Sequence, residues 1–216
     1  MATNTESAKN AGNSILYECV RTIMDIESTS GLRVLAINIM GRFLLNRDNN
    51  IRYVALKTMQ KVVSIDIAAV TRHRNTILDC LRDPDISIRK KALELTYSII
   101  NSENVKSLVK EMINYLLVAD AEFKESLVSK ICSAVEGHSP SKKWHIDTVT
   151  KVLGLGGAYV TDEVISATAH MISGTPELQS YAAGKLYSSM KENMGQYSLC
   201  LLATWCIGEY GNLLVG

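Results

Sequence analysis

Hydrophobic residues recur along most of this chain at intervals of three and four, the spacing that brings side chains to one face of an α-helix. The first stripe consists of Ile15, Cys19, Ile23 and Ile26. The next segment carries two stripes, with Leu32, Leu35, Ile39 and Phe43 on one side and Val34, Ile37, Gly41 and Leu44 on the other. A helix with two apolar sides has to be covered twice, as the inner helices of a stacked array are.

The same spacing predicts helices along the rest of the chain, joined by short turns. They span residues 51–63, 68–81, 88–99, 105–116, 123–135, 140–153, 161–172, 176–190 and 196–210. Ser139-Pro140-Ser141 breaks the chain, with Pro140 placed to begin a helix that Gly154, Gly156 and Gly157 end. The pattern therefore predicts about eleven helices in an all-α fold.

An internal repeat lies within this helical pattern. Residues 46–56 return 37 residues later as residues 83–93, each copy holding an aspartate, Ile-Arg three residues on, and then Ala-Leu. Asp48 and Asp85 stand where a helix N-cap belongs. Each arginine follows an apolar anchor, so we expect it to point off the buried face and reach a carboxylate of the next unit. A weaker third copy begins at Asp120.

Self-similarity at this period is typical of an α-helical repeat protein. The sequence therefore predicts a right-handed α-solenoid of HEAT/armadillo-like helix pairs. No linker divides the chain, so residues 1–216 are expected to form a single solenoid segment. The chain stops at Leu213-Leu214-Val215-Gly216 without a polar capping repeat, which suggests a segment of a longer array with Met1 as an added start codon.

Composition fits a folded protein without a strong global charge. The chain is 47% hydrophobic, and 23 basic residues balance 22 acidic ones, so no overall field attracts nucleic acid or anionic membrane. The five cysteines have no paired spacing, which predicts reduced core residues of a cytosolic protein. The N-terminus lacks the features of a signal peptide, and the uncharged run 193–208 is too short to span a bilayer. We expect a soluble, cytoplasmic protein.

A search for catalytic or metal-binding residues finds no convincing set. The four histidines, His73, His138, His145 and His170, do not pair with other ligands at helical spacing. Cys132, His138 and His145 suggest zinc only if a fourth ligand is supplied, because structural zinc sites are almost always four-coordinate. We predict no metal site and no cofactor.

Two other chemical interpretations are also weak. Ser139 lacks the Gly-x-Ser-x-Gly elbow of a nucleophile, and the glycines of Gly154-Leu155-Gly156-Gly157 lack the spacing of a phosphate-binding loop. Basic clusters remain: Arg72-His73-Arg74, Arg82, Arg89-Lys90-Lys91 and Lys142-Lys143. They could meet phosphates along one edge, but nearby acidic residues favour a solvated face, and no interleaved aromatic residues support single-strand binding.

Four segments carry a resemblance to a known family: 31–44, 50–56, Trp144-His145-Ile146-Asp147-Thr148 and 205–211, which reads Trp-Cys-Ile-Gly-Glu-Tyr-Gly. Together they resemble the trunk of the gamma-adaptins, large subunits of the clathrin adaptor complex of the trans-Golgi network and endosomes. The likeness runs from about Ala2 to Val215 and corresponds to the C-terminal part of the trunk. Alpha-adaptins, of the plasma-membrane complex, are similar at 51–56 and near Tyr210 but match less well around Trp144 and Trp205.

The resemblance implies a scaffold segment that supports cargo selection and clathrin-coated vesicle formation in intracellular protein transport. The implied partners are beta-adaptin, a medium and a small chain in a heterotetramer. Clathrin, an Arf-type GTPase and a phosphoinositide membrane are implied through the whole complex, with peripheral localisation on trans-Golgi, endosomal and coated-vesicle membranes. The first half of the trunk, the hinge and the appendage domain are expected to be absent, so no functional residue is carried over.

Two other classes of function stay open at this point. A nucleic-acid-binding or transport-receptor solenoid of HEAT type would share the helical repeat, but would need a salt-dependent interaction with nucleic acid or a basic signal peptide. An enzyme is the weakest alternative, because no acid, base, nucleophile or metal constellation is present. The sequence therefore predicts a non-enzymatic scaffold with no direct nucleic-acid partner.

Overall fold

A computed structural model of the protein describes residues 10–26 and 29–214. The chain divides into two compact units, Met1–Ile99 and Ile100–Gly216. Every regular element within the described residues is a helix, which confirms the predicted all-α class. The expectation that residues 1–216 form one solenoid segment stays a prediction.

The described residues of the first unit form six α-helices. They are α1 (Asn10–Asp25), α2 (Ser30–Phe43), α3 (Asn49–Val62), α4 (Ile67–Thr71), α5 (Arg74–Asp79) and α6 (Ile86–Ser98). Helix α2 packs between α1 and α3, and α3 packs in turn against α6. The predicted two-sided burial of α2 is confirmed over its second half, where Ile37 and Gly41 are buried together with Ile39 and Phe43.

The first two helices depart from the prediction in which apolar residues they bury. Helix α1 buries Leu16 and Val20, whereas Ile15 and Ile26 of the predicted stripe are 47% and 56% exposed. In α2, Leu32 and Leu35 are 44% and 47% exposed. Both stripes have helical spacing, and spacing alone does not say which of two neighbouring stripes meets the next helix. The predicted stripe of α1 is therefore wrong.

The predicted helix over residues 68–81 is also corrected. It is two short helices, α4 and α5, followed by a 3-10 turn over Cys80–Arg82. The Asp66 side chain caps α4 by accepting a hydrogen bond from the backbone N–H of Ala69 at 2.9 Å. The chain then turns at His73, whose ring lies directly against Gly41 of α2 and whose Nε2 is 3.1 Å from Asn38 Oδ1. This extra break accounts for twelve described helices where about eleven were predicted.

Six α-helices also make up the part of the second unit that the structure describes. They are α7 (Val105–Leu116), α8 (Ala121–His138), α9 (Lys142–Gly156), α10 (Asp162–Ser173), α11 (Pro176–Glu192) and α12 (Tyr197–Tyr210). Helix α8 packs against α7 and α9, and α11 packs against α9, α10 and α12. The predicted inner residues of α8, Phe123, Leu127, Ile131 and Val135, are all buried, which confirms that stripe.

The ends of α9 show how local sequence sets helix boundaries. Pro140 does not begin the helix as predicted; Ser141 is the N-cap, and its Oγ accepts the Trp144 N–H at 3.2 Å. Gly154 lies inside the helix, and the helix ends at Gly156. Gly157 then adopts φ +50°, a left-handed conformation that glycine reaches without steric cost. Of the three predicted terminators, the last two mark the observed end.

Candidate functional surface

The repeated loop of the first unit is built by its polar side chains. Asp48 Oδ1 accepts the backbone N–H of Asn50, and Asp85 Oδ1 accepts that of Ser87, each at 2.8 Å. Both aspartates are N-caps, of α3 and α6, as predicted. The Ser87 hydroxyl also donates to Asp85 at 2.7 Å, and these bonds lower the pKa of the Asp85 carboxyl. The third aspartate, Asp120, is the N-cap of α8 but makes no side-chain capping bond.

Arg52 joins one copy of the repeat to the next. Its Nε donates to Asp83 Oδ2 at 2.9 Å and its Nη2 donates to Asp83 Oδ1 at 3.2 Å. The same guanidinium donates through Nη1 to the carbonyl oxygens of Asn46 and Arg47, at 2.7 and 3.0 Å. A second link runs from Asn49 Nδ2 to Asp85 Oδ2 at 3.1 Å. The prediction that this arginine reaches a carboxylate of the next unit is confirmed.

The equivalent arginine repeats part of this pattern. Arg89 Nη1 donates to the carbonyl oxygens of Asp83 and Pro84, at 2.9 and 3.2 Å. These carbonyls lie six and five positions before the arginine, as those of Asn46 and Arg47 do before Arg52. Each arginine thus holds the shape of the loop that precedes its own helix. A carboxylate of the next unit as a partner of Arg89 stays a prediction.

Two polar links join α9 to the elements around α11 in the second unit. Tyr181 Oη donates to Asp147 Oδ1 at 2.5 Å, and Lys143 Nζ lies 4.4 Å from the centre of the Tyr181 ring. The bond to Asp147 raises the pKa of Tyr181 to about 12. Lys142 Nζ donates to the Oγ1 of Thr175 at 2.9 Å. These links fix α9 against α11 and against the turn before it.

Several side-chain links between distant elements join residues of similar sequence separation. The pairs are Asn38 and His73, Asn49 and Asp85, Arg52 and Asp83, Lys142 and Thr175, Asp147 and Tyr181, Ser173 and Tyr210. Their separations run from 31 to 37 residues, at or somewhat below the 37-residue period of the sequence repeat. Sequence reasoning missed the links of the second unit, although a search for polar pairs at that period would have found them.

The histidines and cysteines do not form a metal centre in the described part of the chain. Among those residues, no group of three or more His, Cys, Asp or Glu is placed to hold a metal ion. Cys132, His138 and His145 are therefore not brought together. Burial raises the pKa of the Cys132 thiol to about 12 and lowers the pKa of His145. A buried, protonated thiol is a core residue rather than a ligand or nucleophile.

The basic clusters are largely occupied by contacts within the chain. His73 faces α2, Lys91 Nζ donates to Glu94 at 2.7 Å, and Lys142 and Lys143 contact Thr175 and Tyr181. Arg72, Arg74 and Arg82 remain exposed in the first unit. This distribution favours a solvated face over a phosphate-binding stripe.

Apolar side chains line a groove in the first unit and are exposed in the second. In the first, a groove of about 310 Å³ between α1 and α3 is lined by Tyr17, Phe43, Ile51 and Val54, with Glu18 and Asp48 among its polar residues. In the second, Met194 and Tyr197 are 76% and 71% exposed. Surfaces of this kind suit protein partners, whereas nothing in them suits a small-molecule reaction.

Comparison with known proteins then decides the family. Residues 2–216 match the family described as the adaptin N terminal region. The chain belongs to the adaptin family. Its expected place in the C-terminal part of the trunk is corrected, because the matching family is that of the N-terminal region of adaptins.

Individual relatives of this adaptin chain carry names of one subunit type. It is 57% identical to the AP-1 complex subunit gamma of Dictyostelium discoideum and 56% identical to the AP-1 complex subunit gamma-1 of Arabidopsis thaliana. It is 46% identical to the human AP-1 complex subunit gamma-like 2. Each likeness covers 100% of this chain and 24 to 27% of the relative, so the chain spans about a quarter of their length.

A structural neighbour shares the fold of the adaptin chain. It is a chain of a homology model of the full-length AP-3 complex in an intermediate open conformation. The TM-score is 0.66 at 18% sequence identity, covering 96% of this chain and 42% of the neighbour. The likeness confirms the predicted fold class. In the described residues, no helix has both the length and the apolar character needed to cross a membrane.

Proposed function

We propose that this chain is a scaffold segment of the gamma-type large subunit of an AP-1 clathrin adaptor complex. As such it supports cargo selection and clathrin-coated vesicle formation in intracellular protein transport at the trans-Golgi network and endosomes. The observation that carries the proposal is the likeness over the whole chain, at 57% and 56% identity, to proteins named as AP-1 gamma subunits in an amoeba and a plant.

The polar links support a mechanical role for the segment. Apolar helix contacts are non-directional and let neighbouring helices shift, whereas a bidentate arginine–carboxylate pair fixes an angle as well as a distance. The Arg52–Asp83 pair fixes α3 relative to the loop before α6, and the Asp147–Tyr181 bond fixes α9 relative to α11. We infer that the segment holds partner chains in place through these links. It flexes by small rotations shared among its apolar helix contacts when the complex opens.

The partners follow from the assignment. They are beta-adaptin, a medium chain and a small chain in one heterotetramer, with clathrin, an Arf-type GTPase and phosphoinositide membrane engaged through the whole complex. The protein then acts in the cytoplasm, peripherally on trans-Golgi, endosomal and coated-vesicle membranes. It has no catalytic role and no nucleic-acid partner, which agrees with 23 basic against 22 acidic residues.

The test is affinity capture of the full-length parent chain from cell lysate, with bound proteins quantified by mass spectrometry. We expect beta-adaptin, medium and small chains in equal amounts. Asp83→Ala in the parent should lower their recovery, whereas Asp79→Ala, an exposed aspartate of the same region, should not. Recovery of nucleic acid or import cargo instead would overturn the scaffold assignment. Recovery of the partner chains of the plasma-membrane complex would overturn the gamma type.

A further inference from the structure

The connection between α8 and α9 is the most accessible polar stretch around a proline in the second unit. It consists of Ser139, Pro140 and Ser141. From Glu136 to Lys143 no side chain is buried, and only Ser139 is partly covered. The last turn of α8 contributes Gly137, where an added methyl group would meet no neighbouring side chain within 4 Å. No side chain from Glu136 to Lys143 therefore anchors this stretch in the apolar core.

Two hydroxyl residues of the chain stand directly before a proline, and they differ in exposure and in hydrogen bonding. They are Ser139 before Pro140 and Thr175 before Pro176. Thr175 is only 1% exposed, and its Oγ1 donates to the Met171 carbonyl at 2.8 Å while accepting from Lys142. The Ser139 Oγ makes one local bond, to the Ser141 carbonyl at 2.8 Å. The Thr175 hydroxyl is thus closed to an enzyme, whereas the Ser139 hydroxyl is only partly covered and lies within an exposed connection.

The backbone at Ser139 lies outside the helical region, which suits recognition by a kinase cleft. Its φ and ψ are −58° and 124°, and a residue directly before proline is disfavoured in the helical region. Proline-directed protein kinases bind the acceptor extended, with proline directly after it, and many favour a basic residue at the third position. Lys142 stands at that third position. After Thr175, the third position is Leu178.

We propose that Ser139 is a phosphorylation site for a proline-directed protein kinase and that Thr175 is not. In the reaction the Ser139 Oγ attacks the γ-phosphorus of ATP, the bond from that phosphorus to the bridging oxygen of ADP breaks, and the hydroxyl proton passes to the kinase's catalytic carboxylate. The products are phosphoserine and ADP. This inference does not depend on the proposed adaptor function.

The new group would enter the chain two residues before the N-cap of α9 and three before Lys142. A phosphoserine carries about −1.5 to −2 charges at pH 7, and a helix N-terminus with nearby lysines favours such a charge. Lys142 then has a stronger acceptor than the neutral Thr175 hydroxyl. Phosphorylation would draw Lys142 away and loosen the link between α9 and the turn before α11.

The experiment incubates the purified chain with a cyclin-dependent kinase and ATP, followed by intact mass measurement and peptide mapping. We expect one phosphate, located on Ser139, and its complete loss in Ser139→Ala. Pro140→Ala should lower the initial rate by on the order of tenfold, as expected when a specific substrate contact is lost. A synthetic peptide of residues 134–145 is the control for the sequence itself.

Each other result counts against the proposal. Phosphate on the peptide but not on the folded chain would show that the fold blocks the site, and phosphate on Thr175 or Ser141 at a similar rate would overturn the selectivity. The role of Lys142 is tested by phosphorus NMR titration of the phosphorylated chain. The pKa of the phosphate on the chain should lie below that of the phosphopeptide and should move toward it in Lys142→Ala. Equal phosphate pKa values in the chain, the Lys142→Ala variant and the phosphopeptide would contradict the role of Lys142.

Discussion

The guanidinium of Arg52 holds both carboxylate oxygens of Asp83, at 2.9 and 3.2 Å. Their side chains are only 14% and 8% exposed, so neither charge is fully solvated in the folded chain. Removing one partner of such a pair leaves the other buried and uncompensated. We therefore predict that Asp83→Ala lowers the free energy of unfolding by about 3 kcal/mol. Urea denaturation followed by circular dichroism measures this change.

The matched control for this prediction is Asp79→Ala. Asp79 is exposed at the end of α5, four residues before Asp83, and surface substitutions usually change the free energy of unfolding by less than about 0.5 kcal/mol. Equal losses for the two variants would mean that the ion pair adds nothing beyond general charge balance.

The bond from Tyr181 to Asp147 makes stability depend on alkaline pH. It raises the pKa of Tyr181 from an ordinary 10.0 to about 12 in the folded chain. The unfolded chain therefore loses this proton first as the pH rises. The contribution of the bond is fully present below pH 10 and is lost as the pH rises from about 10 to about 12.

Tyrosinate absorbance measures the raised pKa of Tyr181 directly. In a spectrophotometric pH titration, Tyr181→Phe should remove one late-titrating tyrosine, and Asp147→Asn should move that tyrosine to a lower pKa. The midpoint of urea unfolding should fall more steeply in the parent than in Tyr181→Phe over the same alkaline range. An unchanged titration in Asp147→Asn would show that the carboxylate is not the cause of the shift.

Helical spacing predicted the elements well because burial of an apolar stripe is the main requirement each helix has to meet. The predicted segment 161–172 differs from α10 by one residue at each end, and 196–210 differs from α12 by one residue at its start. The same information failed at α1, where two neighbouring stripes both have helical spacing and only the position of α2 decides that Leu16 and Val20 are buried. Tertiary context, which spacing does not contain, made that choice.

The polar links were predictable only where the repeat was visible. Arg52 was recognised because residues 46–56 and 83–93 share a pattern, and its carboxylate partner follows from stacking one copy on the next. In the second unit the pattern has diverged, so Lys142 and Lys143 looked like a basic cluster rather than partners of Thr175 and Tyr181. The break at His73 was also missed, since the sequence around His73 does not reveal that its ring contacts Gly41 on another helix.

Gly41 is predicted to be required for the packing of α4 and α5 on α2. A methyl group at this position would overlap the His73 ring, which also lies 3.1 Å from Asn38 Oδ1. Gly41→Ala should lower the free energy of unfolding by about 1 kcal/mol, since the ring has to move out of its contact. Thermal or urea unfolding measures the loss, and a second change, His73→Ala, should relieve most of it.

Gly31→Ala is the matched control, because it lies in the same helix with no atom within 4 Å of the added methyl. Alanine is the better helix former, so this variant should gain stability, by up to about 1 kcal/mol. A loss of similar size at both positions would point to the helix backbone rather than to the His73 contact.

The two alanines of the repeat, Ala55 and Ala92, test how tightly the helices of the first unit pack. Each is 0% exposed at the same position of its copy, in α3 and α6, which contact one another. A leucine at either site adds three carbons to a filled space, so we expect a loss of about 1–3 kcal/mol in the free energy of unfolding. Ala68→Leu, at an exposed position of α4, should change it little. If the thermal melts of Ala55→Leu and Ala92→Leu overlay that of the parent, the helices have room to shift. Close packing then cannot be what sets the geometry of the scaffold.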